Sequence, residues 1–279
     1  MIRSLSVLAL LLGASVFAPA RAEVNECTNI TSLPAVITTQ GVYCLKQNLE
    51  TNISSGAAIT INTNNVTIDC NDWKIGGLQA GVSTNAVGIT ATARVNVTIR
   101  HCGVRGFQTG INLIGANGAG HLIEDNRVDL NTAVGVLVQG DGSIVRRNRV
   151  VDTGGRPNSG VSTAFVIAGS GAVASDNIIN GLTVVGAAGN GMVIAFDIYG
   201  SGHEFRQNVI SGLSAIGTGA ARGFWGSGFG SYRDNTVIGP GAGPALDGVG
   251  SGSMCSGNRI NGFTSSIVNC ADAGGNLAN

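Results

Sequence analysis

The stretch that decides the fold is residues 200–213, which read Gly200-Ser-Gly-His-Glu-Phe-Arg-Gln-Asn208-Val-Ile210-Ser-Gly212-Leu213. Its core is a Gly-x-Gly pair, an Asn six residues later and a β-branched residue two positions after the Asn. This core recurs around Asn126, Asn148, Asn177 and Asn258, and around Asn235 in a copy that is one residue shorter, so that with Asn208 the successive intervals are 22, 29, 31, 27 and 23 residues. A repeat of this length with a constant core and a variable remainder is typical of a solenoid.

The composition agrees with a solenoid. Glycine accounts for 44 of 279 residues, roughly twice its usual share in globular proteins. Only 11% of the residues are charged, and no long helical periodicity is present. We therefore predict an all-β chain, rich in turns, in which one solenoid takes nearly all residues because each repeat buries its apolar face only against its neighbours.

The N-terminus has the pattern of a targeting segment. Arg3 precedes an apolar run over residues 5–17, and Ala20-Arg21-Ala22 has the form of a cleavage site. The run is too short for a membrane span of about 20 residues, and no later stretch qualifies. We predict a signal peptide over residues 1–22, no membrane span, and an exported protein that is periplasmic, cell-surface or extracellular.

Charge argues against two classes of partner. Without residues 1–22 the chain keeps 14 basic and 16 acidic residues, because only Arg3 and Arg21 are lost. A surface so nearly neutral is not expected to bind nucleic acid or an anionic membrane, since both depend on clustered Lys and Arg.

The cysteines predict disulfides. All six lie after the predicted leader, as expected for an oxidising compartment. From their positions we predict bonds at both ends and one near the base, pairing Cys27 with Cys44, Cys70 with Cys102, and Cys255 with Cys270. No metal site is predicted, because there is no C-x-x-C and the three histidines are scattered along the chain.

The remaining chain divides into two parts. Residues 23–65 are predicted to form an N-terminal cap with the first strands, because residues 57–61 and 66–68 alternate with period two around an Asn-Asn turn. Residues 66–279 are predicted to form the solenoid itself with a C-terminal cap. A cap is expected because an open sheet edge would recruit other strands.

Two runs carry a resemblance to a known superfamily. They are Ile37-Thr-Thr-Gln-Gly-Val-Tyr43 and Gly56-Ala-Ala-Ile59-Thr-Ile61-Asn-Thr-Asn-Asn65-Val-Thr-Ile68-Asp69, followed by the N-x-[IV] repeats. Together they resemble bacterial right-handed parallel β-helix proteins of the pectate-lyase-like superfamily. The resemblance implies a right-handed parallel β-helix of about eight rungs, a rung being one turn of the helix. It does not fix activity, since the superfamily includes lyases, hydrolases, epimerases and non-catalytic surface proteins.

In such a helix, residues at the same slot of successive rungs form a ladder with a rise of about 4.8 Å. The side chains three before and two after each Asn are predicted to point inward. The Asn itself is predicted to sit at a corner, where its amide bonds to the Asn amides above and below. An unpaired buried amide would be costly, so these Asn are interpreted as structural.

The two slots before each Asn are predicted to point outward and to carry most of the charge. Rung by rung they read Arg100-His101, Glu124-Asp125, Arg146-Arg147, Ser175-Asp176, Arg206-Gln207, Arg233-Asp234 and Ser256-Gly257. The alternating signs favour a solvated face of structural ion pairs. If the protein is an enzyme, Arg147 is predicted to neutralise charge or act as base, with Asp125 and Asp176 as acid or calcium ligands. Calcium is the cofactor that a lyase of this superfamily would imply, and no other cofactor is predicted.

A second run of strands follows each corner. Alternation predicts an inward set made of Ile89, Ile111, Val136, Val161, Met192, Phe224, Leu246 and Ile267. The corresponding outward set is Thr90, Asn112, Leu137, Ser162, Val193, Trp225, Asp247 and Val268. The outward set is poor in charge and rich in apolar groups. Three consecutive rungs carry extra residues, at 152–159, 182–190 and 213–222, which are predicted to stand side by side as a wall of loops beside this face.

Trp225 is the strongest candidate binding residue. It is one of two Trp in the chain, alternation places it outside, and Asp247 follows in the same slot. A flat ring beside a carboxylate can hold a sugar, and Arg222 and Phe229 flank the strand. The alternative is that the loop at 213–222 or a second subunit buries Trp225.

Three functions stay open at this point. The first is an exported β-helix that binds a polysaccharide or a cell-envelope component through the second run of strands. The second is a polysaccharide lyase, hydrolase or epimerase. The third is a structural surface protein that forms homo-oligomers through its outer apolar face.

Overall fold

The computed structural model describes residues 26–185, 190–241, 244–247 and 252–279, and for residues 244–247 it describes the backbone only. The predicted signal peptide, residues 1–22, lies outside the described residues. The described chain winds into an all-β parallel solenoid. It contains no α-helix in these ranges, and a short 3-10 helix spans Leu78–Ala80.

Each rung contributes strands to three parallel sheets. The charged sheet precedes the Asn corner and contains Thr28–Asn29, Gly41–Cys44, Val66–Asp69, Val97–Arg100, Leu122–Glu124, Ile144–Arg146, Val173–Ser175, the second half of Met192–Arg206, Phe229–Arg233, Met254–Ser256 and Ala271–Asp272. The short sheet follows the corner and contains Leu49–Glu50, Lys74–Gly76, Gly103–Arg105, Arg127–Asp129, Arg149–Val151, Ile178–Asn180, Val209–Ile210, Thr236–Ile238, Arg259–Asn261 and Leu277–Ala278.

The long sheet completes the rung. It contains Ala35–Ile37, Ala57–Ile61, Val87–Thr92, Thr109–Ile114, Val134–Gln139, Val161–Ser170, the first half of Met192–Arg206, Ala221–Gly226, Pro244–Asp247 and Ser265–Val268. Two further short strands, Leu182–Thr183 and Leu213–Ser214, pair with each other in the loop region. Every strand pair in the described part of the chain is parallel, so equivalent residues of neighbouring rungs lie side by side.

The predicted inward slots around the Asn corner are confirmed. The slot three before the Asn is buried in the charged sheet, with Ile99, Ile123, Val145, Ala174, Phe205 and Tyr232 in sequence. The slot two after it is buried in the short sheet, with Val104, Val128, Val150, Ile179, Ile210 and Val237. The core is therefore a stack of aligned apolar side chains.

The Asn corner is confirmed as a hydrogen-bonded ladder. Asn177 is fully buried, and its Nδ2 donates to Asn208 Oδ1 at 3.0 Å and to the Val145 carbonyl oxygen at 2.9 Å. Its Oδ1 accepts from the backbone N and the Nδ2 of Asn148 at 3.0 and 3.1 Å. The same pattern runs from Asn126 through Asn148, Asn177, Asn208, Asn235 and Asn258 to Asn276.

All three predicted disulfides are present, Cys27–Cys44, Cys70–Cys102 and Cys255–Cys270. The first and last lie near the ends of the solenoid. Cys102 takes the corner slot below Asn126, and its backbone N donates to Asn126 Oδ1 at 3.0 Å. The Cys70–Cys102 bond thus continues the Asn ladder covalently at its lower end.

The predicted register of two long-sheet strands is wrong. Val161 and Met192 were expected inside, but Phe165 and Phe196 take that slot, paired with Val136 and Phe224. Val161 is 39% exposed and Met192 is partly exposed. Four of the extra residues in these rungs extend the strands instead of the loops, and these strands accordingly run to 10 and 15 residues.

The corrected register has two consequences. Ser162 and Val193, which were predicted outward, are buried, and Val166 and Asp197 replace them in the outward slot. Inside, Phe165, Phe196 and Phe224 stack with ring centroids 5.0 and 5.1 Å apart. Stacking of aligned aromatic rings across three rungs explains why the longer strands adopt this register.

The wall of extra residues is present where it is described. Gly154 bridges to Thr183, and Leu182–Thr183 pairs with Leu213–Ser214, so the three segments lie side by side. Arg156 fixes the first of them by donating to the Asn85 side-chain oxygen at 2.6 Å. Residues 186–189 of the second segment lie outside the described part of the chain.

Two histidines are buried, His121 and His203, and burial lowers the pKa of each. His203 is 2% exposed, and its Nδ1 accepts from the backbone N of Ala172 at 3.2 Å. The ring proton therefore lies on Nε2, which donates to the Tyr199 carbonyl oxygen at 3.2 Å. Burial lowers the pKa of His203, although that carbonyl and the charge of Asp141 act in the opposite direction.

We expect the free energy of unfolding to fall as the pH drops below about 6.5, the ordinary pKa of histidine. Below that pH the unfolded chain takes up a proton that the buried ring of His203 does not. His203→Ser is expected to reduce this acid loss, since Ser143 and Ser253 fill the equivalent slot of other rungs and accept the same kind of backbone bond. Urea denaturation of both proteins at several pH values checks this, and equal acid losses would contradict it.

Candidate functional site

The outer side of the charged sheet forms a ladder of ion pairs. Arg100 Nε lies 2.8 Å from Asp69 Oδ2, and Arg146 Nη2 lies 2.7 Å from Glu124 Oε2. Later in the sheet, Glu204 pairs with both Arg206 and Arg233. Opposite charges thus meet across neighbouring rungs, as the alternation of signs in the sequence indicates.

The predicted catalytic trio lies in this ladder. Arg147 binds Asp125 through two bonds, Nε to Oδ1 at 2.8 Å and Nη2 to Oδ2 at 2.7 Å, and its Nη2 also contacts Glu124 at 2.8 Å. The hydrogen bond from Arg147 lowers the pKa of Asp125, and the same contact raises the pKa of Arg147. Asp176 is exposed, and within the described ranges it forms no ion pair with Arg147. The structure therefore brings two of the three together, and their catalytic role stays a prediction.

The described residues offer no metal site. No group of three or more His, Cys, Asp or Glu side chains within these ranges is placed to hold an ion. The carboxylates of the charged ladder are bound to arginines instead. The side chains present here do not fit the calcium that a lyase of the resembled superfamily would imply.

The outer side of the long sheet carries a second candidate surface. Its central slot runs through Thr60, Thr90, Asn112, Leu137, Val166, Asp197 and Trp225. Asp197 and Trp225 are direct partners in adjacent strands, so their Cα atoms are about 4.8 Å apart in the direction of the solenoid axis. Trp225 is partly buried and partly open to solvent. We call Asp197, Tyr199, Arg222 and Trp225 the Trp225 site.

Asp197 is the unexpected member of this site. Its Oδ2 accepts from the Tyr199 hydroxyl at 3.1 Å, while its Oδ1 is buried and the backbone N–H of Ile198 also acts on the carboxylate. Burial raises the pKa of Asp197, and burial together with the Asp197 charge raises the pKa of the Tyr199 phenol. Among the described residues no cation forms an ion pair with this carboxylate, and because Oδ1 is enclosed, Oδ2 is the oxygen that a ligand beside the aromatic ring would reach.

The other predicted binding residues are Arg222, Phe229 and Asp247. The Arg222 guanidinium lies over the Trp225 ring, 5.4 Å from its centroid, which is a cation–π contact. Phe229 is 40% exposed and begins the next strand, in the charged sheet. Asp247 ends the strand Pro244–Asp247, whose Leu246 pairs with Phe224, but its side chain lies outside the described part.

Sequence reasoning named Asp247 as the carboxylate beside Trp225 and missed Asp197. The cause is the register error, which placed Val193 in the slot that Asp197 occupies. A signal was present, because Ala195-Phe196-Asp197 matches Gly223-Phe224-Trp225 as a small residue, an inward ring and an outward residue. Asp197 shares its slot with Trp225, so Asp247 is not the only carboxylate of this ladder.

Several solved structures are similar to this chain. The catalytic domain of a GH87 α-1,3-glucanase in complex with nigerose and the Dettilon tailspike protein are each 12% identical, with TM-scores of 0.42 and 0.43. The pectate lyase Pel9A is 16% identical with a TM-score of 0.50, over 89% of this chain and 68% of that one. The match covers 62% of the glucanase domain and 60% of the tailspike protein. It covers 89% and 88% of this chain, respectively.

The similarity to Pel9A agrees with the fold described above. The chain has a parallel β-helix fold similar to that of the pectate lyase Pel9A, as its sequence predicts. No protein-family model and no curated protein matches the sequence. In the described part of the chain, no helix has the length and apolar character needed to cross a membrane.

Proposed function

We propose that this protein binds a polysaccharide or another cell-envelope glycan at the Trp225 site. The observation that carries the proposal is the pairing of Trp225 with Asp197 on the outer side of the long sheet. A sugar ring presents an apolar C–H face and a rim of hydroxyls. The Trp225 ring can receive the face, while Asp197 and the Tyr199 hydroxyl receive the rim, as mixed polar and apolar sites require.

The surroundings of the site support a chain-like ligand. The slot that contains Trp225 continues down the solenoid through Val166 and Leu137, which are partly exposed. The wall of extra residues rises beside these rungs. A polymer lying along the solenoid axis would contact the same slot on several rungs in succession, and variable loops on a rigid scaffold are where binding is usually built.

The charged ladder supports a binding function more than a catalytic one. Arg147 is held by Asp125 and Glu124, so its charge is already compensated before any substrate arrives. A lyase needs a cation that is free to stabilise the charge developing on its substrate. The protein is therefore proposed to be a non-catalytic binding module, exported to a compartment in which its three disulfides persist.

Replacing Trp225 tests the proposal. Titration of the glycan that gives the strongest signal on a polysaccharide array is expected to show at least about tenfold weaker binding for Trp225→Ala, because a stacked aromatic is a typical hot spot. Trp73→Phe, at the other Trp of the chain, is the control and is expected to bind as the wild type does. Undiminished affinity in Trp225→Ala would place the glycan elsewhere.

The same face supports one alternative, self-association. Light scattering over a range of concentrations separates the two functions, because a glycan-binding module that stays monomeric excludes an oligomer built on this surface. If Trp225→Ala dissolves an oligomer and leaves glycan binding unchanged, the face is an interface between copies of the chain.

A further inference from the structure

We propose that Asp197 is the specificity-determining residue of the Trp225 site, and that it selects glycans built of neutral sugars over glycans built of uronic acids. This inference rests on the proposed glycan-binding function and adds the class of sugar to it. The observation behind it is the position of the Asp197 carboxylate beside the Trp225 ring.

The strand register brings Asp197 to the ring. Asp197 and Trp225 are paired in adjacent parallel strands, so a sugar stacked on Trp225 has its edge within reach of the carboxylate. In the rung before Asp197, the same slot holds Val166, whose side chain has no acceptor. Asp197 is therefore the acceptor that a sugar on the ring meets on the side of the preceding rung.

The charge of Asp197 is not compensated by a neighbour. Within the described ranges it forms no ion pair, and its one side-chain hydrogen bond comes from the neutral Tyr199 hydroxyl. Arg222 pairs in register with Ile194 and lies over the ring, and no ion pair joins it to Asp197 in the described structure. The Asp197 carboxylate thus stands beside the ring as a partly desolvated negative charge without an ion pair in the described structure, and the Arg222 guanidinium over the ring is the cation of the site.

A carboxylate in this position is expected to favour neutral sugars over uronic acids. Hydroxyl groups of a neutral hexose donate to it, and hydrogen bonds to a charged acceptor are stronger than those between neutral groups. A uronic acid brings a second carboxylate into the same space, where a like charge a few ångströms away is unfavourable and is screened less than in bulk water. Discrimination against a ligand is commonly built from repulsion of this kind.

The test compares matched sugars on two forms of the protein. The affinities of the wild type and of Asp197→Asn are measured by calorimetry at neutral pH. The ligands are hexasaccharides of α-1,4- and β-1,4-linked glucose, and the same chains oxidised to the carboxylate at C6. The wild type is expected to bind a neutral chain at least about tenfold more tightly than its oxidised counterpart. Asp197→Asn keeps the size of the side chain and an acceptor for Tyr199, and it is expected to lower that ratio to about threefold or less by binding the oxidised chain more tightly.

Two results would overturn the inference and leave the proposed function standing. One is a wild type that binds the oxidised chain as tightly as the neutral one while Trp225→Ala weakens both. The other is an affinity ratio that Asp197→Asn does not change, with an unchanged melting temperature showing that the variant is folded. If the wild type binds no chain of either kind, and no glycan on the array, the proposed function fails together with the inference.

Discussion

Replacing Asn177 by alanine is expected to lower the free energy of unfolding by about 3 to 5 kcal/mol. The amide of Asn177 accepts from two donors of Asn148 and donates to Asn208 and to the Val145 carbonyl, all in a buried corner. Each buried group that loses its only partner costs about 1 to 3 kcal/mol. Alanine leaves two donors of Asn148 unpaired and interrupts the ladder in the middle of the solenoid.

Asn180, three residues after Asn177, provides the control for this prediction. Asn180 is exposed, and its amide donates to the Ser211 hydroxyl at 2.8 Å. Asn180→Ala is expected to cost less than about 1 kcal/mol, since water replaces an exposed hydrogen bond. Urea denaturation with the disulfides intact measures both variants. Similar losses in the two would mean that the corner ladder contributes no more than a surface amide.

Replacing Phe196 by alanine is expected to cost about 3 to 5 kcal/mol, the usual range for a buried phenylalanine. Phe196 is fully buried between Phe165 and Phe224, and it also meets the edge of Phe205 at 5.4 Å. Its loss would leave a cavity inside a stack of rings that adjacent rungs cannot fill without moving their backbones.

Met192 provides the control because the sequence pattern alone places it in the slot that Phe196 occupies. In the structure Met192 is partly exposed at the start of its strand, so Met192→Ala is expected to cost less than about 1.5 kcal/mol. Denaturation midpoints of the two variants decide between the registers. A larger loss for Met192→Ala than for Phe196→Ala would support the register that the sequence predicts.

The features that sequence reasoning predicted correctly are those that every rung repeats at fixed spacing. The Asn corner must satisfy its amide in each rung, so it tolerates little variation and appears in the sequence as a constant core. The inward slots beside it have the same spacing from the Asn, and Ile99 or Val104 could be placed by counting alone. The disulfide between Cys70 and Cys102 follows from the same counting, because Cys102 occupies the Asn slot.

The long sheet could not be placed this way because its distance from the corner varies. The segment around Val161 alternates as well as the segment around Phe165, so the local pattern does not choose between the two registers. The choice is made by contacts between rungs, where Phe165 stacks on Phe196. Asp197 was missed for this reason, since its position beside Trp225 is a property of two strands and not of either one.

The central claim is that a glycan lies on the Trp225 ring, and fluorescence measures this most directly. In Trp73→Phe protein, Trp225 is the only tryptophan, so its emission reports on this site alone. Titration with the glycan selected on the array is expected to give a saturable shift in emission whose midpoint equals the Kd found by calorimetry. Calorimetric binding with no change in Trp225 emission would contradict the account.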